Sequence, residues 1–417
     1  MIPLAVLMGK ALRFVLRLLG GGSAVPGKVA LLVEPQFLEK TIGRMERGVH
    51  FVSGSNGKST TTAMLVSVLR KHGLNVLSNP AGANLPQGLA SAVVAEVSVS
   101  GKLKHDIAIL EVDEAYGKLI AEKVAPNGLL LTNLQFDQLN RFHSPEDVYQ
   151  YLNTLASMTK DLIVVNGSDP NTERLGLSHA SRLQSSGVYA SAKALSSAAN
   201  GLLAAPSFTK DQGNLDAAAT LLNVDGQEAL IEVSEAQVGV NLPAAGLHYA
   251  IDAALAIGMA SNILGSEFDL QKAGTAISES LPVYGRGEKI TYRGQEIHVI
   301  MMKNLPSLQA NLDALQSAPE CVWISVDEGT PDPSWIYDID LGKLSEVQVI
   351  SGTKTFQWAT RLAYSGVPFG ELIEDEAKAL DYFLSIPGER KTAIVNYEQM
   401  MWLRKKLGLM DLEGSLE

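Results

Sequence analysis

The stretch Val49-His-Phe-Val-Ser-Gly-Ser-Asn-Gly-Lys-Ser-Thr60 decides the fold. Val49 to Val52 is an apolar run of the length of a buried strand. Gly54 to Gly57 is a turn, and Lys58 to His72 has helical spacing, closed by Gly73. In a strand–turn–helix of this kind the backbone N–H groups of the turn point inward, and the helix start adds partial positive charge, so the unit cradles phosphate oxygens. Gly54, Ser55, Asn56, Gly57, Lys58, Ser59 and Thr60 are therefore candidate phosphate-binding residues, with Lys58 reaching the β/γ-phosphates and the Ser59 hydroxyl on Mg²⁺. The general motif G-x-x-x-x-G-K-[ST] asks for glycine where this chain has Val52.

Working outward, Ile107–Leu110, Gly128–Leu131 and Leu162–Val165 read as further buried strands separated by helical patterns. This alternation predicts an α/β fold built on a parallel sheet covered on both faces. Residues 185–239 are rich in Ala, Ser and Gly and break the rhythm, which predicts an edge or inserted sheet. An Ala-rich helix follows over Tyr249–Leu264, then a hinge at Leu281-Pro-Val-Tyr-Gly-Arg-Gly-Glu288. A second α/β rhythm begins after it with Ile297–Met302, Cys321–Val326 and Val347–Ile350. The 417 residues thus divide into 1–285 and a smaller C-terminal α/β domain, 286–417.

A net charge of −11 argues against a broad nucleic-acid-binding surface. One cysteine, Cys321, excludes an internal disulfide and a multi-cysteine zinc site, so no structural zinc is expected, and it fits a reducing cytoplasm. Met1–Gly22 is apolar but carries Lys10, Arg13 and Arg17 inside it, unlike a signal peptide, and its apolar runs are too short to span a bilayer. Leu12, Leu16 and Leu19 at helical spacing predict an amphipathic helix packed on the body, with peripheral membrane contact as the sharper alternative.

Glu111 and Asp113 follow a strand, at the edge where open α/β sheets bind ligands, and Glu111 is the stronger candidate for Mg²⁺. Thr132, Asn133 and Asp137 follow the next strand and point to the same edge.

Gly54-Ser-Asn-Gly-Lys-Ser-Thr60 closely resembles the G-T-N-G-K-[ST] loop of the Mur ligases and folylpolyglutamate synthases. Further segments resemble one branch, the MurT subunits of lipid II isoglutaminyl synthase. They are Pro26-Gly-Lys-Val-Ala30, Gly82-Ala-Asn-Leu85, Leu110-Glu-Val-Asp-Glu114, Leu131-Thr-Asn-Leu134, Asp137-Gln-Leu139, Lys303-Asn-Leu-Pro306, Asp332-Pro-Ser-Trp-Ile-Tyr-Asp338 and Ser351-Gly-Thr353.

The resemblance implies a Mur-ligase-type ATP-binding domain over 1–285, with Glu111 as Mg²⁺ ligand and Arg286 beside the phosphates. It matches Gly246–Ala253 to the adenine-contacting segment, where relatives carry Asn at the places of Tyr249 and Asp252. Asp252 then accepts from the adenine amino group. A further departure is Asn140, where relatives carry Asp. The implied reaction is ATP-dependent amidation of the D-glutamate α-carboxylate of lipid II, through an acyl phosphate. Ammonia comes from a separate glutaminase subunit, GatD, docked on 286–417, and Asp332 orients that partner's catalytic histidine, with Asp327 as rival. This places the enzyme in the cytoplasm, at the inner face of the membrane. The competing readings are an amino-acid-adding Mur-type ligase and a degenerate nucleotide-binding scaffold subunit.

Overall fold

The computed structural model describes residues 1–19, 24–79, 84–137, 142–208, 213–283, 286–329, 334–388 and 390–409. Asn140 and Asp332 lie outside them, as does the Arg286 side chain.

The first half opens with helices α1 (Ile2–Leu19), α2 (Val25–Val33) and α3 (Phe37–Thr41), followed by β1 (Val49–Ser53), α4 (Lys58–Lys71) and β2 (Val76–Ser78). Then come α5 (Pro86–Glu96), β3 (Ile107–Glu111), α6 (Gly117–Ala121), β4 (Gly128–Leu131), α7 (Pro145–Met158), β5 (Leu162–Asn166), α8 (Pro170–His179), β6 (Gln184–Ala190) and α9 (Ala192–Leu195). Strands β7 (Ala217–Asp225), β8 (Glu228–Val233) and β9 (Ala236–Asn241) precede helices α10 (Leu247–Leu264) and α11 (Leu270–Ser278).

These strands form a nine-stranded sheet of order β2-β3-β1-β4-β5-β6-β7-β8-β9. It is parallel from β2 to β7, and the last two pairings, β7–β8 and β8–β9, are antiparallel. Alternate residues feed two apolar layers. Val52, Ile109, Leu130 and Val164 pack under α4 and α10, while Phe51, Leu110, Leu131 and Ile163 face the layer of α1, α2, α5 and α7. Burial on both faces explains the unbroken apolar runs of these strands. The region 185–239 is not a separate inserted sheet: β6 continues the parallel ladder, and β7 to β9 extend the same sheet at its edge.

Helix α10 is long and apolar enough to cross a membrane, yet it is largely buried inside the protein. Ala250, Ala253, Ala254 and Gly258 let it lie close to its neighbours, which is a core role.

The second half builds a six-stranded sheet of order β10-β11-β15-β12-β13-β14. Its strands are β10 (Arg286–Tyr292), β11 (Gln295–Met301), β12 (Cys321–Ser325), β13 (Val347–Ser351), β14 (Phe369–Leu372) and β15 (Arg390–Val395), parallel except for β10 against β11. Helices α12 (Leu305–Asp313), α13 (Thr355–Ser365), α14 (Glu376–Ser385) and α15 (Tyr397–Lys406) cover it. Cys321 is fully buried in β12, and burial pushes its thiol pKa up.

Each sheet reverses direction of growth once. In the first this happens at β1, between β3 and β4, and in the second at β15, between β11 and β12. Ligands bind at such switch points, outside the carboxyl ends of the strands.

The Pro26-Gly27 segment has a packing reason. Proline opens α2, and a Cβ on Gly27 would stand 2.1 Å from the Gln87 carbonyl oxygen and 2.3 Å from the Ser91 amide nitrogen. The Gly27 N–H donates to Ser91 Oγ at 2.7 Å. Gly27→Ala forces backbone apart from backbone. It should lower stability by about 1–3 kcal/mol, read as a lower urea midpoint at unchanged m-value; an unchanged midpoint would mean that α2 does not rest on α5 at this point.

Candidate functional site

The turn after β1 holds its shape through two glycines with positive φ, Gly54 (+128°) and Gly57 (+81°). Neither has room for a side chain: a Cβ on Gly54 would meet Thr132 Oγ1 at 2.3 Å, and one on Gly57 would meet Asp252 Oδ1 at 2.4 Å. Polar groups at the end of β4 fasten the turn from outside. Asn133 Oδ1 accepts from the Asn56 N–H at 2.9 Å, Asn133 Nδ2 donates to the Asn56 carbonyl at 3.1 Å, and the Thr132 hydroxyl donates to the same carbonyl at 2.6 Å. Gln135 joins them, accepting from Asn56 Nδ2 at 2.7 Å. From α10, Asp252 Oδ1 accepts from the Thr61 hydroxyl at 3.0 Å. Asn133 and Asp252 thus both bear on the loop itself.

Lys58 starts α4 almost wholly buried, and its ammonium donates to Glu114 Oε1 at 2.7 Å, to the Gly54 carbonyl and to the Ser55 carbonyl at 3.3 Å. Burial pulls the Lys58 pKa down, but the carboxylates of Glu114, Glu111 and Asp137 outweigh it, and the net direction is up. Glu114 is 2 % exposed, and its other oxygen, Oε2, has no hydrogen-bond partner. Burial raises its pKa, as expected where several carboxylates crowd one ammonium.

Glu111 ends β3 with its backbone clamped on both sides by Asn79, at 2.9 Å each way. Asp113, two residues on, accepts from the Ala115 N–H at 3.0 Å. Ser59, Glu111 and Asp113 line a cleft of about 770 Å³.

The second sheet supplies the opposite wall of this cleft. Lys303, just after β11, donates to Asp137 Oδ2 at 2.6 Å and to the Ser55 carbonyl at 3.3 Å. Asn304 Nδ2 reaches Asn56 Oδ1 at 3.2 Å, while its own Oδ1 caps α12 by accepting from the Ser307 N–H at 2.9 Å. Burial pushes the Asp137 carboxyl up, but Lys303 and Asn304 overcome it, and the net direction is down.

The residues Gly54 to Thr60, Glu111 and Asn133 named from the sequence therefore meet at one place. Arg286 enters only by its backbone, at the start of β10. Glu114 and Lys303 carry charge at the site and have no role in the sequence reading. Both follow strand ends directly, the rule that marks Glu111, so position alone was a usable signal.

The site fits Mg²⁺ with a nucleotide. Among the described residues no three His, Cys, Asp or Glu converge into a cage. Mg²⁺ is ordinarily held by one or two protein oxygens together with substrate phosphates and water. Ser59 and Glu111 line the cleft and are the residues that could hold it.

Phosphates arriving at Lys58 would replace the Glu114 carboxylate. Glu114→Gln leaves a buried ammonium without its counter-ion, which should cost the nucleotide-free protein about 3–5 kcal/mol. Mg-ADP restores negative charge there, so it should raise the melting temperature more in the variant than in the parent. Equal increments in the two proteins would show that Lys58 does not trade Glu114 for phosphate.

The chain has relatives among known proteins. The Mur ligase middle domain family model matches residues 52–260. The chain is 27 % identical over 405 residues to the MurT subunit of lipid II isoglutaminyl synthase (glutamine-hydrolyzing) of Streptococcus pneumoniae, covering 89 % of this chain and 88 % of that one. Among solved structures, MurF from Acinetobacter baumannii superposes with a TM-score of 0.67 at 16 % identity, covering 89 % of this chain and 78 % of that one. MurF from Thermotoga maritima in complex with ADP superposes with a TM-score of 0.62 at 16 % identity, over 93 % and 83 %. The family match runs from within β1 through most of α10 and takes in half of the 417 residues, so this chain belongs to the Mur ligase family.

Proposed function

We propose that this protein is the synthase subunit of a lipid II isoglutaminyl synthase: an ATP-dependent ligase that amidates the α-carboxylate of D-glutamate in the lipid II stem peptide. The observation that carries this reading is the similarity to a MurT subunit along 89 % of the chain, through both sheets rather than the ATP-binding half alone.

Chemically, an oxygen of the substrate carboxylate takes the γ-phosphoryl group of ATP, giving an acyl phosphate and ADP. The lone pair of ammonia then attacks the acyl carbon, the bond to the phosphate oxygen breaks, and inorganic phosphate leaves while the nitrogen sheds a proton. The protein positions the reactants and neutralises charge. Lys58 faces the transferring group, and the loop N–H groups hold the phosphates. Ser59 and Glu111 would hold Mg²⁺, which would supply positive charge against the phosphates. By resemblance to the family, Arg286 would add positive charge for the phosphates. Asp252 and Asn133 keep the loop in shape, a role their hydrogen bonds support better than direct adenine contact.

Ammonia would come from a GatD-like glutaminase seated on the second sheet. That sheet offers exposed aromatic surface, with Phe356 and Tyr364 on α13 and Phe369 on the edge strand β14. Asp332 is the proposed orienter of the partner's histidine. Its rival Asp327 stands at the carboxyl end of β12, its two oxygens accepting from the Thr353 N–H at 3.2 Å and from Gln399 Nε2 at 2.9 Å. Both oxygens already have partners within the chain, which favours Asp332. A lipid-linked substrate would bring the enzyme to the inner face of the cytoplasmic membrane.

Lys58→Ala should abolish amidation from either nitrogen source, because it removes charge from the transferring phosphoryl group. Retained ATP-dependent turnover in that variant rules the mechanism out. With the glutaminase present, Asp332→Asn should impair the glutamine-driven reaction and spare the ammonia-driven one, since the ligase site lies elsewhere. If both reactions fall together, or neither falls, the cross-subunit role is wrong and Asp327→Asn becomes the variant to compare.

A further inference from the structure

We propose that the outer face of α1 and α2 is a docking surface for an anionic lipid bilayer, lying in the boundary between headgroups and acyl chains. The inference stands apart from the amidation chemistry and is tested without it.

Helix α1 is apolar on two opposite faces. The inner one, Ala5, Val6 and Gly9, is buried, and the approach is close: a Cβ on Gly9 would stand 2.9 Å from Val94 Cγ1 on α5 and 3.4 Å from the Pro26 carbonyl oxygen on α2. Leu12 and Leu16 flank this inner face, half-buried. The outer face is Leu4, Leu7, Met8, Phe14 and Val15, all exposed, with Phe14 at 66 %. Their spacing puts them on one stripe, where a helix lying against water carries polar residues. Val25 and Leu32 of α2 are exposed as well, Leu32 at 73 %. Isolated exposed apolar residues need no explanation, but an aligned set of this size marks a contact surface.

Charge selects the occupant. Residues 1–33 contain Lys10, Arg13, Arg17 and Lys28 and no Asp or Glu, in a chain whose net charge is −11. Position 10 falls on one flank of α1, between its inner and outer faces. Apolar residues on one side with cations along the edge are the pattern of a helix lying in the plane of an anionic membrane. A second copy of the chain would set like charge against like charge. Nor does α1 suit insertion across the bilayer. Its inner face is already committed to the body, and its 18 residues reach ~27 Å, short of a ~30 Å hydrocarbon core.

The surface is joined to the cleft. Helix α5, on which α1 and α2 rest, begins at Pro86, two residues after the cleft-lining Asn84. Docking by α1 would hold that end of the cleft near substrates carried in the membrane.

The test is flotation of the full-length protein with vesicles of phosphatidylglycerol and phosphatidylethanolamine, against vesicles of phosphatidylcholine alone. Binding to the anionic vesicles and weak binding to the neutral ones is expected. Leu7→Asn/Phe14→Asn should weaken it about tenfold or more. Lys10→Glu/Lys28→Glu should weaken it and flatten its dependence on salt. All three proteins should share one urea midpoint. Equal binding to both vesicle types, or to neither, overturns the proposal. So does a concentration-dependent dimer that Leu7→Asn/Phe14→Asn dissociates in the absence of vesicle binding, which would assign the face to a second copy.

Discussion

Everything about the first sheet answers to one buried ammonium. Lys58 is buried with three carboxylates around it, and a charge in such a place is tolerated only when it is paired and hydrogen-bonded. The pairing comes from separate places in the chain: carbonyls of the loop, Glu114 after β3 and Asp137 after β4. Parallel strand order brings them together, because β3, β1 and β4 are neighbours and all end on the same edge. Gly54 and Gly57 are the backbone condition for the arrangement, since a side chain at either would collide with the residues that brace the loop.

The same constraint reaches the second sheet. Lys303 is a second cation at this edge, and it arrives from a part of the chain far from the loop. Through Lys303 and Asn304 the second sheet touches Asn56, Ser55 and Asp137, so its placement is read by the residues that would hold phosphates. Adding negative charge between Lys58 and Lys303 changes the balance for both at once. Nucleotide charge placed there would therefore bear on the position of the second sheet through ordinary ion pairing.

Much of this was legible in the sequence, for reasons that can be named. β1, β3, β4 and β5 are buried on both faces and appear as unbroken apolar runs. The loop between β1 and α4 announces itself because few residues can replace its glycines. β2, three residues long, has too little sequence to show a period, and β14 is an exposed edge strand with no apolar alternation. β6 looked like the start of an insertion because its Ser and Gly content hides a strand that the parallel ladder nonetheless claims. Glu114 was obscured by its acidic neighbours: in Glu111-Val-Asp113-Glu114 only the fold decides which carboxylate pairs with Lys58 and which two line the cleft. Lys303 stood in a recognisable segment, but its partner Asp137 is too distant in sequence for any local pattern to join them.

The isolation of Cys321 gives the chain a built-in reporter. A thiol fully buried at the start of β12, with its pKa pushed up, is shielded from alkylating reagents as long as the second sheet stays closed. Since it is the lone cysteine, its modification counts openings of that sheet and no other part of the molecule. The second half of the protein can therefore be followed by itself as it breathes, with no introduced label.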